Sequence, residues 1–225
     1  MEVHCHRGCP GPHPENSLPA VRTVPAQVDA LEIDVQQCAS GEPVVFHDRT
    51  LDRTTARSGA VAGIPLPALA DTELEGTSAA VPTLESVVAA VPTGIGLTVE
   101  LKHAGLFEAV SPILADAEND VRLSSFVPQA LTPFSEAGFE TALLVDPEEI
   151  GGWDPALAAA ASIDADAVHA HYDALEADRV ARAHDRGLDV VAWTVPDEER
   201  VRDCRRAGAD GVIVDDWRVV PGLNP

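Results

Sequence analysis

The sequence predicts an α/β protein built as a single closed (β/α)8 barrel of the TIM type, spanning residues 1–225, with a short extra hairpin after the second strand. Three observations predict it. Eight short apolar stretches, beginning at residues 3, 30, 95, 121, 140, 165, 188 and 210, alternate with segments of helical pattern. The length of 225 residues suits one compact domain of that class. The polar residues that stand out fall late in, or just after, these stretches, at the strand ends where barrels of this kind place their chemistry.

In chain order, Val3 to His6 reads as the first strand, and Asn16 or Ser17 is placed to cap a helix over 18–24 with Pro19 in its first turn. Ala30 to Gln36 is the second strand. The link from there to Pro43 is too short for a parallel crossover, so 44–47 is expected as an added hairpin strand or extended return outside the parallel series. Residues 49–80, rich in Thr, Ala, Gly, Pro and Ser, show little periodicity. A helix capped by Thr83 follows through Val91. The alternation then runs strand 95–101, helix 105–117, strand 121–126, helix 128–137, strand 140–145, helix 154–161, strand 165–170, helix 175–186, strand 188–195, helix 197–207 and strand 210–214.

Composition narrows the function classes. There are 37 acidic and 15 basic residues, a formal charge of −22, and hydrophobic content of 45%. That hydrophobic content is ordinary for a globular chain, so the charge does not signal disorder. Lys102 is the single lysine, the other basic residues being arginine. Such an acidic, lysine-poor surface is expected of a cytoplasmic protein in a high-salt cell, where screening limits self-repulsion. It repels a nucleic-acid backbone. No apolar run reaches the length of a membrane span and no leader pattern opens the chain, so the expectation is a protein without stable membrane insertion. Cys5, Cys9, Cys38 and Cys204 are too scattered for a disulfide framework, and the expectation is free thiols, with Cys5 packed as a small apolar side chain. A zinc site from His4, Cys5, His6, Cys9 and His13 is disfavoured, because alternation puts Cys5 opposite His4 and His6 and no Cys-x-x-Cys pair exists.

The chemistry concentrates between His6 and His47. Glu32 and Asp34 lie two apart on one strand, so both carboxylates project from one face while Leu31, Ile33 and Val35 point the other way. Two adjacent carboxylates repel unless a cation lies between them, and all-oxygen ligation suits a hard divalent ion, Mg2+ or Ca2+. Glu100 and Lys102, also two apart, end the third parallel strand. His6 and His47 each close an apolar run and precede a charged residue, as where a strand leaves the core. From neighbouring strands they can reach one pocket and act as general acid and base.

His6-Arg7-Gly8, Pro14-Glu15-Asn16-Ser17, Leu31-Glu32-Ile33-Asp34-Val35 and the run from Pro43 to Thr55 closely resemble the glycerophosphodiester phosphodiesterase family. The resemblance continues through Val81–Ser86, Val99–Lys102, Val191–Val195 and Ala207–Asp216, and so covers nearly the whole chain. It implies metal-dependent hydrolysis of a small glycerophosphodiester to glycerol phosphate and an alcohol. Glu32, Asp34 and Glu100 would bind one divalent ion, His6 and His47 would be the catalytic pair, and Arg7 and Lys102 would face the phosphoryl oxygens. Glu15 would lie near the metal, and Trp193 would lie against the glycerol. The alternatives are a phospholipase D-like or cyclising enzyme on intact lipid, against which the lack of an exposed apolar or basic segment speaks, and a catalytically silent barrel that binds a phosphorylated ligand. Two departures from the family pattern stand out. His169-Ala170 replaces an Asn-Pro ahead of His171-Tyr172, and Pro196 follows Trp-Thr-Val where asparagine is usual.

Overall fold

A computed structural model describes residues 1–74, 76–146 and 151–223. The first strand, β1 (Glu2–Cys5), is followed by α1 (Leu18–Arg22), β2 (Ala30–Gln37) and β3 (Pro43–Val45). Short helices α2 (Leu66–Ala70) and α3 (Leu84–Val88) lead to β4 (Gly96–Leu101). From there strand and helix alternate strictly: α4 (Phe107–Ala115), β5 (Val121–Ser125), α5 (Pro128–Glu136), β6 (Glu140–Val145), α6 (Trp153–Ser162), β7 (Ala167–His171), α7 (Ala177–His184), β8 (Asp189–Trp193), α8 (Glu198–Ala207) and β9 (Gly211–Val214).

Among the described residues, eight of nine strands are parallel and close on themselves. The order runs β1-β9-β8-β7-β6-β5-β4-β2, and β1 pairs with β2 through His4–Ala30 and Cys5–Leu31 to complete the ring. This is a TIM barrel. The ninth strand, β3, lies antiparallel on β2, with Val35 opposite Val45, outside the ring as the short preceding link requires. Strand alternation sorts the side chains: Leu31, Ile33 and Val35 of β2 and Leu97, Val99 and Leu101 of β4 join the buried layer beneath the helices, which leaves Glu32, Asp34 and Glu100 on the barrel's inner face. The β2/β4 register places Asp34 directly opposite Glu100.

Local signals set the helix starts near the site. The Ser17 hydroxyl accepts from Ala20 N–H at 3.3 Å and Thr83 accepts from Ser86 N–H at 3.2 Å, each satisfying a donor of a first turn. Ser17, not Asn16, is therefore the cap of α1.

Two features differ from the sequence reading. The stretch after β3 has a core of its own: Cys38, Val44, Phe46, Leu51, Val61, Ile64, Leu69, Leu74 and Val81 cluster separately from the main core. Their spacing is irregular because they lie on bends, a single 3-10 turn at Val61–Gly63 and the five-residue α2. No period of 2 or 3.6 could show in such a segment. The second difference is a correction: Cys5 and Cys9 are not free thiols but form a disulfide, while Cys38 and Cys204 are free and buried. Cys5 is fully buried, as expected of a strand residue facing the helices. What brings Cys9 back to it is a left-handed turn, with φ of 49° at Arg7, 83° at Gly8 and 51° at Cys9, leaving the Cα atoms 4.7 Å apart. An extended or right-handed backbone would carry Cys9 away, and nothing in residue spacing announces the turn.

Candidate active site

At the C-terminal end of the barrel, Glu32, Asp34 and Glu100 each offer a carboxylate oxygen, and these oxygens lie within 4.8 Å of one another. Glu32 and Asp34 are buried and Glu100 nearly so. Burial, with the charge of Asp34 beside it, pushes the Glu32 carboxyl up to about 8. Burial and Asp34 also raise Glu100. Asp34 moves the other way, because Lys102 and Arg7 overcome the cost of its burial and hold it well below the usual carboxylate range. Lys102 Nζ lies 2.6 Å from Asp34 Oδ1 and 2.6 Å from Glu100 Oε1, and Arg7 Nε is 3.3 Å from Asp34 Oδ2. The side chain of Asn16 completes the setting of Asp34: Nδ2 donates to Oδ2 at 2.7 Å, while Oδ1 accepts from Asp34 N–H at 3.2 Å.

The donors fit a hard divalent cation. They are all oxygen, they are close enough to share one ion, and two of the three are held away from their charged form by burial and mutual repulsion, which a dication relieves. Among the described residues no other group of three His, Cys, Asp or Glu side chains converges in this way. The zinc set that the sequence disfavours does not converge either, since Cys5 and Cys9 are consumed by their bond.

Both histidines line the same cleft of about 120 Å3, together with Arg7, Glu32, Glu100 and Lys102. Each is gripped at Nδ1 by a carboxylate. His6 Nδ1 is 2.7 Å from Asp215 Oδ1, just beyond β9, and His47 Nδ1 is 2.6 Å from Asp48 Oδ1. A carboxylate at Nδ1 accepts a hydrogen bond from Nδ1–H, so Nε2 of each neutral ring is left with a lone pair for the cleft. Burial would lower both rings, but the Asp215 bond and the charge of Glu32 bring His6 above its ordinary value. At His47 burial prevails, helped by Lys102, and its value falls. Asp48 is itself held by Arg53, whose Nε donates to Oδ2 at 2.6 Å and draws the carboxyl down to about 2. Arg53 also donates to Glu15 at 3.1 Å, and Glu15 accepts from Arg7 at 3.0 Å. A chain of ion pairs thus runs from Asp48 through Arg53 and Glu15 to Arg7, tying the loop after β3 to the loop after β1.

Glu15 is accordingly a brace behind Arg7 and Arg53 and is not one of the converging carboxylates. Trp193 does line the cleft. Its ring meets Phe126 edge to face at 5.4 Å and His171 at 5.3 Å, and its Nε1–H donates to His169 O at 2.8 Å. Phe126 also lines the cleft and is 46% exposed, so an apolar wall stands beside the charged one. His169 is placed elsewhere, fully buried inside the barrel with its ring 6.4 Å from that of His4. Sequence reasoning missed Asp215, Asp48, Asn16, Arg53 and Phe126. Asp48 and Arg53 lay inside a motif already singled out, yet only the bend after β3 shows that they grip His47 and Glu15.

The model of the glycerophosphoryl diester phosphodiesterase family matches residues 6–219. The chain is 28% identical over 230 residues to the Bacillus subtilis protein YhdW, covering 96% of this chain and 94% of that one. It is 27% identical over 231 residues to a glycerophosphodiester phosphodiesterase of Caldanaerobacter subterraneus, covering 95% and 93%. Among solved structures, an Oleispira antarctica phosphodiesterase in complex with the product sn-glycerol-3-phosphate superposes with a TM-score of 0.89 at 26% identity, covering 99% of this chain and 96% of that one.

Proposed function

The chain belongs to the glycerophosphoryl diester phosphodiesterase family, and we propose that it hydrolyses small glycerophosphodiesters to glycerol phosphate and an alcohol at the C-terminal end of its barrel, with one divalent cation, Mg2+ or Ca2+, held by Glu32, Asp34 and Glu100. The observation that carries this reading is the convergence of three buried acids beside two histidines of one cleft. A bound divalent ion there supplies positive charge against the phosphoryl oxygens.

The protein's own groups do the rest. Arg7 and Lys102 line the cleft and add fixed positive charge where negative charge develops in the transition state. Their pairing with Asp34, Glu15 and Glu100 holds them in place before substrate arrives. With Nδ1 of each ring committed to Asp215 or Asp48, Nε2 of one histidine takes the proton of the attacking hydroxyl and Nε2 of the other gives a proton to the departing alcohol. The attacking group is the glycerol hydroxyl next to the phosphate. Its oxygen bonds to phosphorus as the alcohol leaves, and water then opens the resulting cyclic phosphate. Trp193 and Phe126 receive the carbon skeleton of the glycerol. The acidic surface fits an enzyme of the cytoplasm of a high-salt cell, and activity retained after dialysis into low-salt buffer would contradict that part of the reading. No helix among the described residues is long and apolar enough to cross a membrane.

The test is release of glycerol phosphate from glycerophosphodiesters in molar salt by the wild type, His6→Ala and His47→Ala. Each substitution is expected to lower kcat by about 10²–10⁴-fold. A glycerophosphodiester analogue lacking the adjacent hydroxyl should not turn over. Wild-type rates in both histidine variants would remove the assigned roles, and turnover of the analogue would remove the internal attack.

A further inference from the structure

We infer that the Cys5–Cys9 bridge is a thiol–disulfide exchange site through which a dithiol reductant sets the working state of the loop His6-Arg7-Gly8. The inference rests on the reading that His6 and Arg7 serve a phosphodiester site. The bridge spans only that loop, one sulfur before His6 and the other directly after Gly8.

The loop's backbone is one that L-residues avoid. Arg7 and Cys9 have φ of 49° and 51°, on either side of Gly8 at 83°. Gly8 packs so closely on α1 that a Cβ on it would meet the Ala20 Cβ at 3.1 Å, so the turn takes glycine there. With the bridge open, the backbone of the turn is held among the described residues by three hydrogen bonds, Cys9 N–H to His6 O at 2.9 Å, Asn16 N–H to Arg7 O at 3.0 Å, and Arg7 N–H to Glu32 Oε2 at 3.0 Å, beside the side-chain pairs of His6 and Arg7. Release of the covalent tie lets Arg7 and Cys9 return toward right-handed backbone. That movement carries the Arg7 guanidinium away from Asp34 and Glu15, and His6 away from Asp215. The bridge also touches the residue before the partner of His6: Cys9 Sγ lies 3.6 Å from the carbonyl oxygen of Val214, which precedes Asp215.

The two sulfurs are unequal. Cys5 is fully buried, whereas Cys9 is only partly so, and an incoming thiolate meets Cys9 first. The reductant thiolate bonds to Cys9 Sγ, the S–S bond breaks, and Cys5 leaves as a thiolate that takes a proton. The second thiol of the reductant then displaces Cys9 from the mixed disulfide. Two electrons and two protons pass to the protein, and the dithiol ends as a disulfide. A loop this short gains less chain-entropy stabilisation from its cross-link than a long one would, so the loss of global stability is modest beside the local change.

The experiment compares the oxidised protein, the protein reduced with dithiothreitol, and the reduced protein reoxidised with oxidised glutathione. Thiol counting under denaturing conditions is expected to give two thiols before reduction, from Cys38 and Cys204, and four after. Reduction is expected to lower kcat/KM on a glycerophosphodiester and the affinity for glycerol 3-phosphate at least tenfold, to raise amide exchange across residues 5–9, and to lower Tm by several degrees, with reoxidation restoring all of these. Cys9→Ala should sit at the reduced level and ignore dithiothreitol, while the Cys38→Ser/Cys204→Ser double variant should respond like the wild type. Should Cys9→Ala fail to fold, the reduction and reoxidation of the wild type decide alone. Four thiols without reductant, or equal kinetics, binding and exchange in both states, would overturn the inference. Failure of the phosphodiesterase reading looks different: no turnover or glycerol 3-phosphate binding in any state, with thiol counts and loop exchange still reporting the bridge.

Discussion

Both ends of the barrel gather buried or half-buried charge, yet they resolve it in opposite ways. At the N-terminal end, Glu2 meets His4 at 3.1 Å and Arg122 at 3.5 Å, and Arg122 also pairs with Glu140. The carboxyl of Glu2 is drawn down to about 2, chiefly by the bond from His4. At the C-terminal end, Lys102 and Arg7 satisfy Asp34, but Glu32 is left with a backbone N–H and a like-charged neighbour, and is pushed up to about 8. The same residue types thus make a closed ion cluster at one end and one short of positive charge at the other. A cluster that its own cations satisfy is complete in itself, whereas a buried one that they do not satisfy either keeps a proton or has room for a cation from outside.

Four substitutions or titrations can break or sharpen that contrast. The largest effect is expected at Asp215, which orients His6 from a neighbouring strand end. Asp215→Asn should lower kcat on the order of 10–100-fold with little change in KM, by analogy with other outer-shell partners, as read by steady-state kinetics. A purely structural residue would instead show in Tm and leave kcat alone. Next is the response to metal. Adding Mg2+ or Ca2+ at about 100 times its Kd should stabilise the wild type by about 2.7 kcal/mol, measured by thermal unfolding, and Glu100→Gln should blunt the gain. Arg122→Met, at the opposite end, should cost about 1–2 kcal/mol, because it leaves Glu2 and Glu140 without their shared partner. At this chain length that is about 3–6 °C in Tm, with kcat unchanged; a loss of turnover would mean the two ends are coupled.

The smallest effect is the acid limb of Glu2. Its native value lies below the ordinary 4.5, so its contribution is complete above pH 4.5 and is lost as the pH falls through about 2. Thermal unfolding of Glu2→Gln and wild type should therefore differ above pH 4.5 and converge toward pH 2. Half of the Glu2 side chain is exposed, so salt should shrink the difference.

What the sequence made legible follows from distance along the chain. Glu32 and Asp34 share a face because a strand repeats every two residues, and eight alternating units leave few ways to close a sheet, so the barrel and the convergence at its rim could be read from local pattern. Asp215 could not, because it stands 209 residues from His6 and only ring closure between β1 and β9 makes them neighbours. The Cys5–Cys9 bond was hidden for the reverse reason: the residues are close in sequence, but their meeting depends on three successive positive φ angles that no residue pattern encodes at Arg7 and Cys9. The small core around Leu51, Leu69 and Leu74 escaped because bends and a five-residue helix carry no period.

The measurement that bears most directly on the C-terminal cluster is glycerol phosphate release by enzyme dialysed against EDTA in molar salt, before and after back-titration with Mg2+ or Ca2+, for the wild type beside Glu32→Gln. Turnover should vanish on chelation and return with the added ion in the wild type, and should stay low in the variant at the same ion concentration. Undiminished turnover in EDTA, or a Glu32→Gln enzyme as active as its parent, would contradict the account.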